Sequence, residues 1–191
     1  MKNKFTTYQM TATALLAALM CVLGPVSVPI GPVPISLTNL VVCLAVCLLG
    51  AKLATVSVAV YLVLGAVGLP VFSGFSGGLA KLAGPTGGYL IGFLFMAFLA
   101  GLLMERFGGR VIPTYLGLVL GCAVDYAFGT AWFVLIMQCD LMYALTICVF
   151  PFIVGDLIKM ALAEAAGSLL RERLVKAGLA KGLPGSDAAQ V

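Results

Sequence analysis

The chain contains Val154-Gly155-Asp156-Leu157-Ile158-Lys159-Met160, in which an acid and a base lie three residues apart in an apolar run. This run extends from Tyr143 to Leu170 and is long enough to cross a bilayer, since about 20 residues suffice. Each charge costs roughly 2.5–3.5 kcal/mol at the centre of a membrane helix. Residues three apart share one helix face, so Asp156 and Lys159 can neutralise each other or bind one ligand. The run therefore predicts a membrane helix with a candidate functional site near its middle.

The composition of the whole chain is that of an integral membrane protein. Hydrophobic residues make up 62% of its 191 residues and charged residues 9%, against about a quarter in a typical soluble domain. The mean hydropathy is +1.17. The net charge of +4 comes from bases that are spread thinly along the chain, unlike the basic patch of a nucleic-acid-binding protein. We therefore expect membrane lipid, and no nucleic acid, around the protein.

The apolar runs predict an all-α bundle of six transmembrane helices, at about 8–24, 38–50, 53–68, 85–104, 112–138 and 143–170. With both termini in the cytoplasm, nine bases flank these runs on the inner side and only Lys81 lies in an outer loop. The inner bases are Lys2, Lys4, Lys52, Arg106, Arg110, Arg171, Arg173, Lys176 and Lys181. This asymmetry follows the positive-inside rule and predicts a multi-pass protein of the cell membrane. Residues 1–175 form the predicted transmembrane domain, and residues 176–191 a polar, flexible cytoplasmic tail.

Two long loops fall on the predicted outer side. The first, 24–38, contains four prolines, which exclude a helix, yet it carries no charge. Irregular backbone at membrane depth is tolerated only against protein or a cavity, which favours a lid over a cavity between helices; an interfacial segment is the alternative. The second loop, 68–84, is rich in glycine and leads into Pro85 at a helix start, where free backbone N–H groups suit an anion.

Other polar and small residues leave alternatives open. Ala14 and Ala18 form a smooth face on the first helix, which suits packing inside the bundle or docking to a partner protein. Asp125 is a second acid within an apolar run, and it can bind substrate, pair with Lys159 or bind a backbone group. The chain has no histidine, and its six cysteines form no CxxC motif, so neither a metal nor a cofactor is expected. With no GxSxG motif and no paired carboxylates at a useful spacing, an enzyme is not expected either.

Four sequence blocks follow one another along the chain. They are Gly31-Pro32-Val33-Pro34-Ile35-Ser36-Leu37-Thr38, Gly65-Ala66-Val67-Gly68-Leu69-Pro70-Val71-Phe72, Gly84-Pro85-Thr86-Gly87-Gly88-Tyr89-Leu90-Ile91-Gly92-Phe93, and the Asp-x-x-Lys formed by Asp156 and Lys159. In this order they resemble the motifs of the biotin-transporter family BioY, over about residues 8–172. The resemblance implies the substrate-binding S component of an energy-coupling factor (ECF) transporter. In that family the vitamin binds near the extracellular face, under the loop between helices 1 and 2.

The resemblance also implies partners and site residues. Family members work with a transmembrane T component and two cytoplasmic ATPases, and the alanine motif that contacts the T component matches Ala14 and Ala18. For biotin, Asp156 can accept a hydrogen bond from the ureido N–H and Lys159 can donate one to the ureido carbonyl, each contributing roughly 1.5–3 kcal/mol. The other expected site residues are Thr38, Asn39, Phe72, Phe75, Lys81, Thr86 and Tyr89. Phe72, Phe75 and Tyr89 would form apolar walls.

Two questions remain open from the residues alone. The tail carboxylate of biotin can bind Lys81 or the start of helix 4, but the reverse orientation, with the carboxylate on Lys159, is equally consistent with the residues. The chain can also be a stand-alone secondary transporter of a small vitamin-like carboxylate, in which Asp125, Asp156 and Lys159 relay protons. The lack of an inverted repeat and the few ionisable groups in the apolar runs disfavour that alternative.

Overall fold

The computed structural model describes residues 6–29 and 33–178. These residues form seven helices and two short strands. The elements are α1 (Thr7–Leu23), β1 (Ser27–Val28), β2 (Ile35–Ser36), α2 (Thr38–Ala66), α3 (Leu79–Ala83), α4 (Gly87–Arg106), α5 (Val111–Met137), α6 (Leu141–Cys148) and α7 (Phe150–Lys176). Of the predicted tail, 176–191, only the first three residues are described.

The length and composition of the helices fit a membrane protein. Within the described residues, three helices are long and apolar enough to cross a bilayer: α2, α4 and α5. The pair α6 and α7 is bent by 41° and adds a fourth span if it is counted as one, while α1 is a shorter apolar helix. The helices also expose large apolar side chains, such as Leu15, Ile112 and Leu135, which suits contact with lipid. The six predicted spans go beyond this count.

A break at Gly50 divides α2. Gly50 has φ 75° and ψ −171°, a left-handed conformation that glycine adopts with little strain. A straight helix would separate Thr38 and Tyr61 by about 35 Å along its axis. Instead, the Tyr61 hydroxyl interacts with the Thr38 side chain. The chain therefore turns back at Gly50, and the two halves of α2 lie side by side.

Two charged side chains bind the helix ends that the break exposes. Glu105, near the end of α4, accepts a hydrogen bond of 2.8 Å from the backbone N–H of Ala51. Arg171 of α7 donates to the backbone carbonyl of Cys47. A carboxylate suits the start of a helix and a guanidinium suits its end, because each is opposite in sign to the local helix dipole. Each end at the break thus has one charged partner inside the bundle.

The close approach of α4 to this break predicts a stability effect. A Cβ at Gly101 would lie 2.3 Å from the Cα of Ala51, so Gly101→Ala must push two backbones apart. We expect a loss of about 1–3 kcal/mol in stability from overpacking, measured as a lower midpoint of thermal unfolding in detergent. Gly155→Ala on α7 is the matched control, since a Cβ there meets nothing within 4 Å. An equal midpoint for the two variants would contradict this packing.

The connection between α1 and α2 is a small antiparallel ribbon, so the fold is mostly helical and not wholly α as predicted. Ser27 pairs with Ser36 and Val28 pairs with Ile35. Prolines on either side of the strands prevent helix formation, as expected from the sequence. Residues 30–32 of the predicted proline-rich loop lie outside the described residues. The ribbon ends at Ser36, two residues before the start of α2, and Ser36 reaches the site described next.

Candidate ligand-binding site

A cavity opens among β2, the start of α2, α4, α5 and the bent pair α6–α7. Its empty volume is about 600 Å³, which includes the space at its open mouth. Apolar side chains such as Leu90, Phe93 and Phe152 line it. The ionisable and amide groups in the lining are those of Asn39, Tyr89, Asp125, Tyr126, Cys148, Asp156 and Lys159. A mainly apolar cavity with a few polar groups is typical of a site for a small organic molecule.

Asp156 and Lys159 form an ion pair at this cavity. Lys159 Nζ lies 3.0 Å from Asp156 Oδ1, and the two side chains are 14% and 8% exposed. The same ammonium group donates to the carbonyl of Ser36 at 3.1 Å, and the Tyr126 hydroxyl donates to Asp156 Oδ2 at 2.5 Å. A lysine has three donors and a carboxylate about four acceptor positions. The pair is therefore held in place and can still donate one hydrogen bond and accept others.

The bend between α6 and α7 shapes one wall of the cavity. Pro151 lies in the first turn of α7, where a missing backbone N–H is tolerated. Cys148 before the bend and Phe152 after it both line the cavity. Asp156 lies four residues after Phe152 on α7. Residues four apart share a helix face, so Asp156 lies on the same side of the helix as Phe152. The bend thus aligns an apolar wall with the ion pair.

Tyr89, Asn39 and Thr86 also line the cavity, as does the ion pair, so the structure brings five of the expected site residues together. The Tyr89 hydroxyl lies 3.0 Å from Thr130 Oγ1, and the ring packs where a Cβ on Gly129 would stand. Asn39 is buried at the start of α2. Thr86 is buried immediately before α4.

Four other expected residues lie outside the lining. Phe72 is fully buried and packs edge-to-face on Tyr61, with ring centroids 5.4 Å apart. Thr38 is buried beside Ser36, whose hydroxyl is 3.1 Å from its own. Phe75 is 71% exposed at the tip of the glycine-rich loop, and Lys81 lies on α3. Phe93 and Phe152 contribute the aromatic lining that we expected from the loop.

The sequence did not indicate the roles of Tyr126 and Ser36. Tyr126 binds Asp156 from a position 30 residues away, and Ser36 reaches Lys159 through its backbone from 123 residues away. One signal was present for Tyr126, since a tyrosine within an apolar helix needs a partner for its hydroxyl. A backbone carbonyl leaves no such signal in a sequence.

Comparison with known proteins identifies the family. Residues 1–176 match the model of the BioY family. The chain belongs to the BioY family. It is 43% identical to the "Probable biotin transporter BioY" of Pyrococcus horikoshii, covering 87% of this chain and 95% of that protein. It is 42% identical to the biotin transporter BioY of Thermotoga maritima, covering 86% and 96%. Both matches extend over nearly the whole of each protein.

The fold of this BioY-family chain is also found in a solved structure. A crystal structure of the S-component for biotin from an ECF-type ABC transporter superposes with a TM-score of 0.82. The two chains are 32% identical, and the match covers 88% of this chain and 95% of the other. The helical arrangement around the cavity is therefore shared by a biotin S component.

The two alanines expected to contact a partner lie on the outside of this BioY-family chain. Ala14 and Ala18 are exposed on α1, next to Leu15 and Val22, which are each 68% exposed. No group of three or more histidine, cysteine, aspartate or glutamate side chains that could hold a metal occurs within the described residues. The cavity and the α1 face are thus two separate features of the bundle.

Proposed function

We propose that this chain is the biotin-binding S component of an ECF-type vitamin transporter. It belongs to a family whose relatives are named biotin transporters, and it shares its fold with a biotin S component. The observation on which the proposal depends is the ion pair at the cavity, because its free donor and acceptor positions match a ureido group. The protein is a transporter and not an enzyme, and biotin is its cargo, not a cofactor.

Different residues of the cavity lining suit the polar and the apolar parts of biotin. The remaining N–H of Lys159 donates to the ureido carbonyl, and Asp156 accepts from a ureido N–H. Charge-assisted hydrogen bonds of this kind are about twice as strong as neutral ones. Phe93 and Phe152 pack against the thioether ring and the methylene tail. Tyr89 adds an aromatic face whose hydroxyl is already bound to Thr130.

In this proposal the bundle crosses the membrane six times. The crossings are α1, the two halves of α2 on either side of Gly50, α4, α5 and the bent pair α6–α7. Glu105 of α4 contacts Ala51 in the second half of α2, and Arg171 of α7 contacts Cys47 in the first half. These contacts support a position at the same end of the bundle for these ends of α4, α7 and the two halves of α2. Lys52, Arg106 and Arg110 lie next to these contacts along the chain. By the positive-inside rule this end is cytoplasmic, and both termini are on the same side.

The proposed partners are a transmembrane T component and two ATPase subunits. Ala14 and Ala18 form the docking face, since small exposed residues on α1 allow another helix to approach closely. The T component would thus contact α1 on the outside of the bundle. Biotin would bind in the cavity, whose lining includes no residue of α1.

The proposal is tested by binding and uptake with the purified subunit. We expect the subunit alone to bind biotin in titration calorimetry. In proteoliposomes, uptake should require the T component, the ATPases and ATP hydrolysis. Uptake by the subunit alone, following a proton gradient, would instead support the stand-alone secondary transporter. An absence of biotin binding would overturn both the ligand and the function.

A further inference from the structure

Asp125 is a buried carboxylate that has no hydrogen-bond partner among the described residues. It lies on α5, lines the cavity and is 3% exposed. Its side chain makes no hydrogen bond or ion pair with any described residue, and its Oδ1 atom is fully shielded from solvent. Leaving such a group unpaired is costly, so buried polar atoms nearly always have a partner. Asp125 therefore has acceptor capacity that no described residue uses.

The surrounding bundle makes room for this carboxylate. A Cβ on Gly92 of α4 would lie 2.1 Å from Asp125 Oδ1, so only glycine leaves the space that this carboxylate occupies. Three formal charges line the cavity among the described residues: Asp125 and Asp156 are acids and Lys159 is a base. With both acids ionised, the lining has one excess negative charge. Such a lining favours N–H donors of a ligand and repels a carboxylate group of a ligand.

We propose that Asp125 accepts a hydrogen bond from an N–H of the ligand's ureido ring and selects for that ring over the carboxylate tail at this end of the cavity. The inference rests on the proposed biotin site and adds a residue to it. Asp156 is already bound by Tyr126 and Lys159, whereas Asp125 has no hydrogen-bond partner among the described residues. The ureido ring therefore forms hydrogen bonds with Lys159, Asp125 and Asp156. The tail carboxylate of the ligand points towards the mouth of the cavity.

The test compares biotin with its methyl ester, which keeps the ring but has a neutral tail. Asp125→Asn keeps the size of the side chain and removes its charge, and Asp125→Leu removes the acceptor as well. We expect Asp125→Asn to weaken both ligands by the same factor, about 10-fold, and Asp125→Leu to weaken both by about 100-fold, measured by titration calorimetry. Unfolding midpoints show whether each variant is folded.

Two results would overturn the inference while leaving the proposed function intact. If the tail faced Asp125, Asp125→Asn would strengthen the binding of biotin and leave the methyl ester unchanged. If Asp125 did not contact the ligand, neither variant would change either affinity. A wild-type protein that binds no biotin would instead overturn the proposed function itself.

Gly92 offers a second test that acts through the same carboxylate. Gly92→Ala should displace Asp125 and weaken biotin binding in the wild-type background. In an Asp125→Ala background the added methyl group has space, so the further loss should be less than about twofold, since residues in contact are not additive. Equal losses in both backgrounds would show that Gly92 acts through packing alone and would contradict the role of Asp125.

Discussion

Lys159→Met is expected to reduce the affinity for biotin by at least about 100-fold. The change removes the donor to the ligand and the bond to the Ser36 carbonyl. Among the described residues it leaves the buried Asp156 carboxylate with only the Tyr126 hydroxyl as partner. A hydrogen bond to a charged group contributes about 1.5–3 kcal/mol, and a 100-fold change in affinity corresponds to about 2.7 kcal/mol. Asp156→Asn should act in the same direction, because it leaves the ammonium group without its counter-ion. Titration calorimetry with the purified subunit measures both effects.

Lys81→Met is the matched control for this result. It removes the same charge from a base that lies on α3 and outside the cavity lining. We expect its affinity for biotin to stay within about twofold of wild type, since Lys81 does not line the cavity. Normal binding by both Lys159→Met and Asp156→Asn would show that the ligand does not use the ion pair.

Ala14→Arg and Ala18→Arg are expected to abolish transport and to leave biotin binding unchanged. Each substitution places a long charged side chain on the exposed face of α1, where a partner helix must approach closely. The cavity residues do not include any part of α1, so the ligand site is unaffected. Uptake of labelled biotin by cells with the complete transporter, together with binding by the purified variants, separates the two functions.

Ala127→Arg controls for the general cost of an arginine in a membrane helix. Ala127 is exposed on α5, away from α1, and the same charge there should permit normal uptake if the protein inserts. Co-purification of the T component should be lost for the α1 variants and retained for this control. Loss of biotin binding in Ala14→Arg would place that residue in the fold instead of a docking face.

The helices were predictable because hydrophobic length is a local property of a sequence. The first predicted span, 8–24, agrees with α1 at Thr7–Leu23, and the fifth, 112–138, agrees with α5 at Val111–Met137. The break at Gly50 falls at the end of the predicted run 38–50. Apolar runs do not reveal how a chain reverses, because that depends on a glycine conformation and on contacts with other helices.

The candidate site was predictable in part. Asp156 and Lys159 stood out because a charge in an apolar run requires a reason, and their contact spans only three residues. The bond between Tyr126 and Asp156 depends on how α5 packs against α7, which no local pattern contains. Phe72 was expected in a wall of the site and lies in the core, because a loop sequence does not specify which way an aromatic ring points.

The two charges at the Gly50 break also constrain how the protein is assembled during synthesis. Glu105 lies 54 residues after the helix start that it binds, and Arg171 lies 124 residues after the carbonyl that it binds. When α2 leaves the ribosome, neither partner has yet been made. The turn at Gly50 must form without these two protein partners, with water in their place, until α4 and then α7 are inserted. The α2 hairpin can therefore gain both of these contacts only after α7 has entered the bundle.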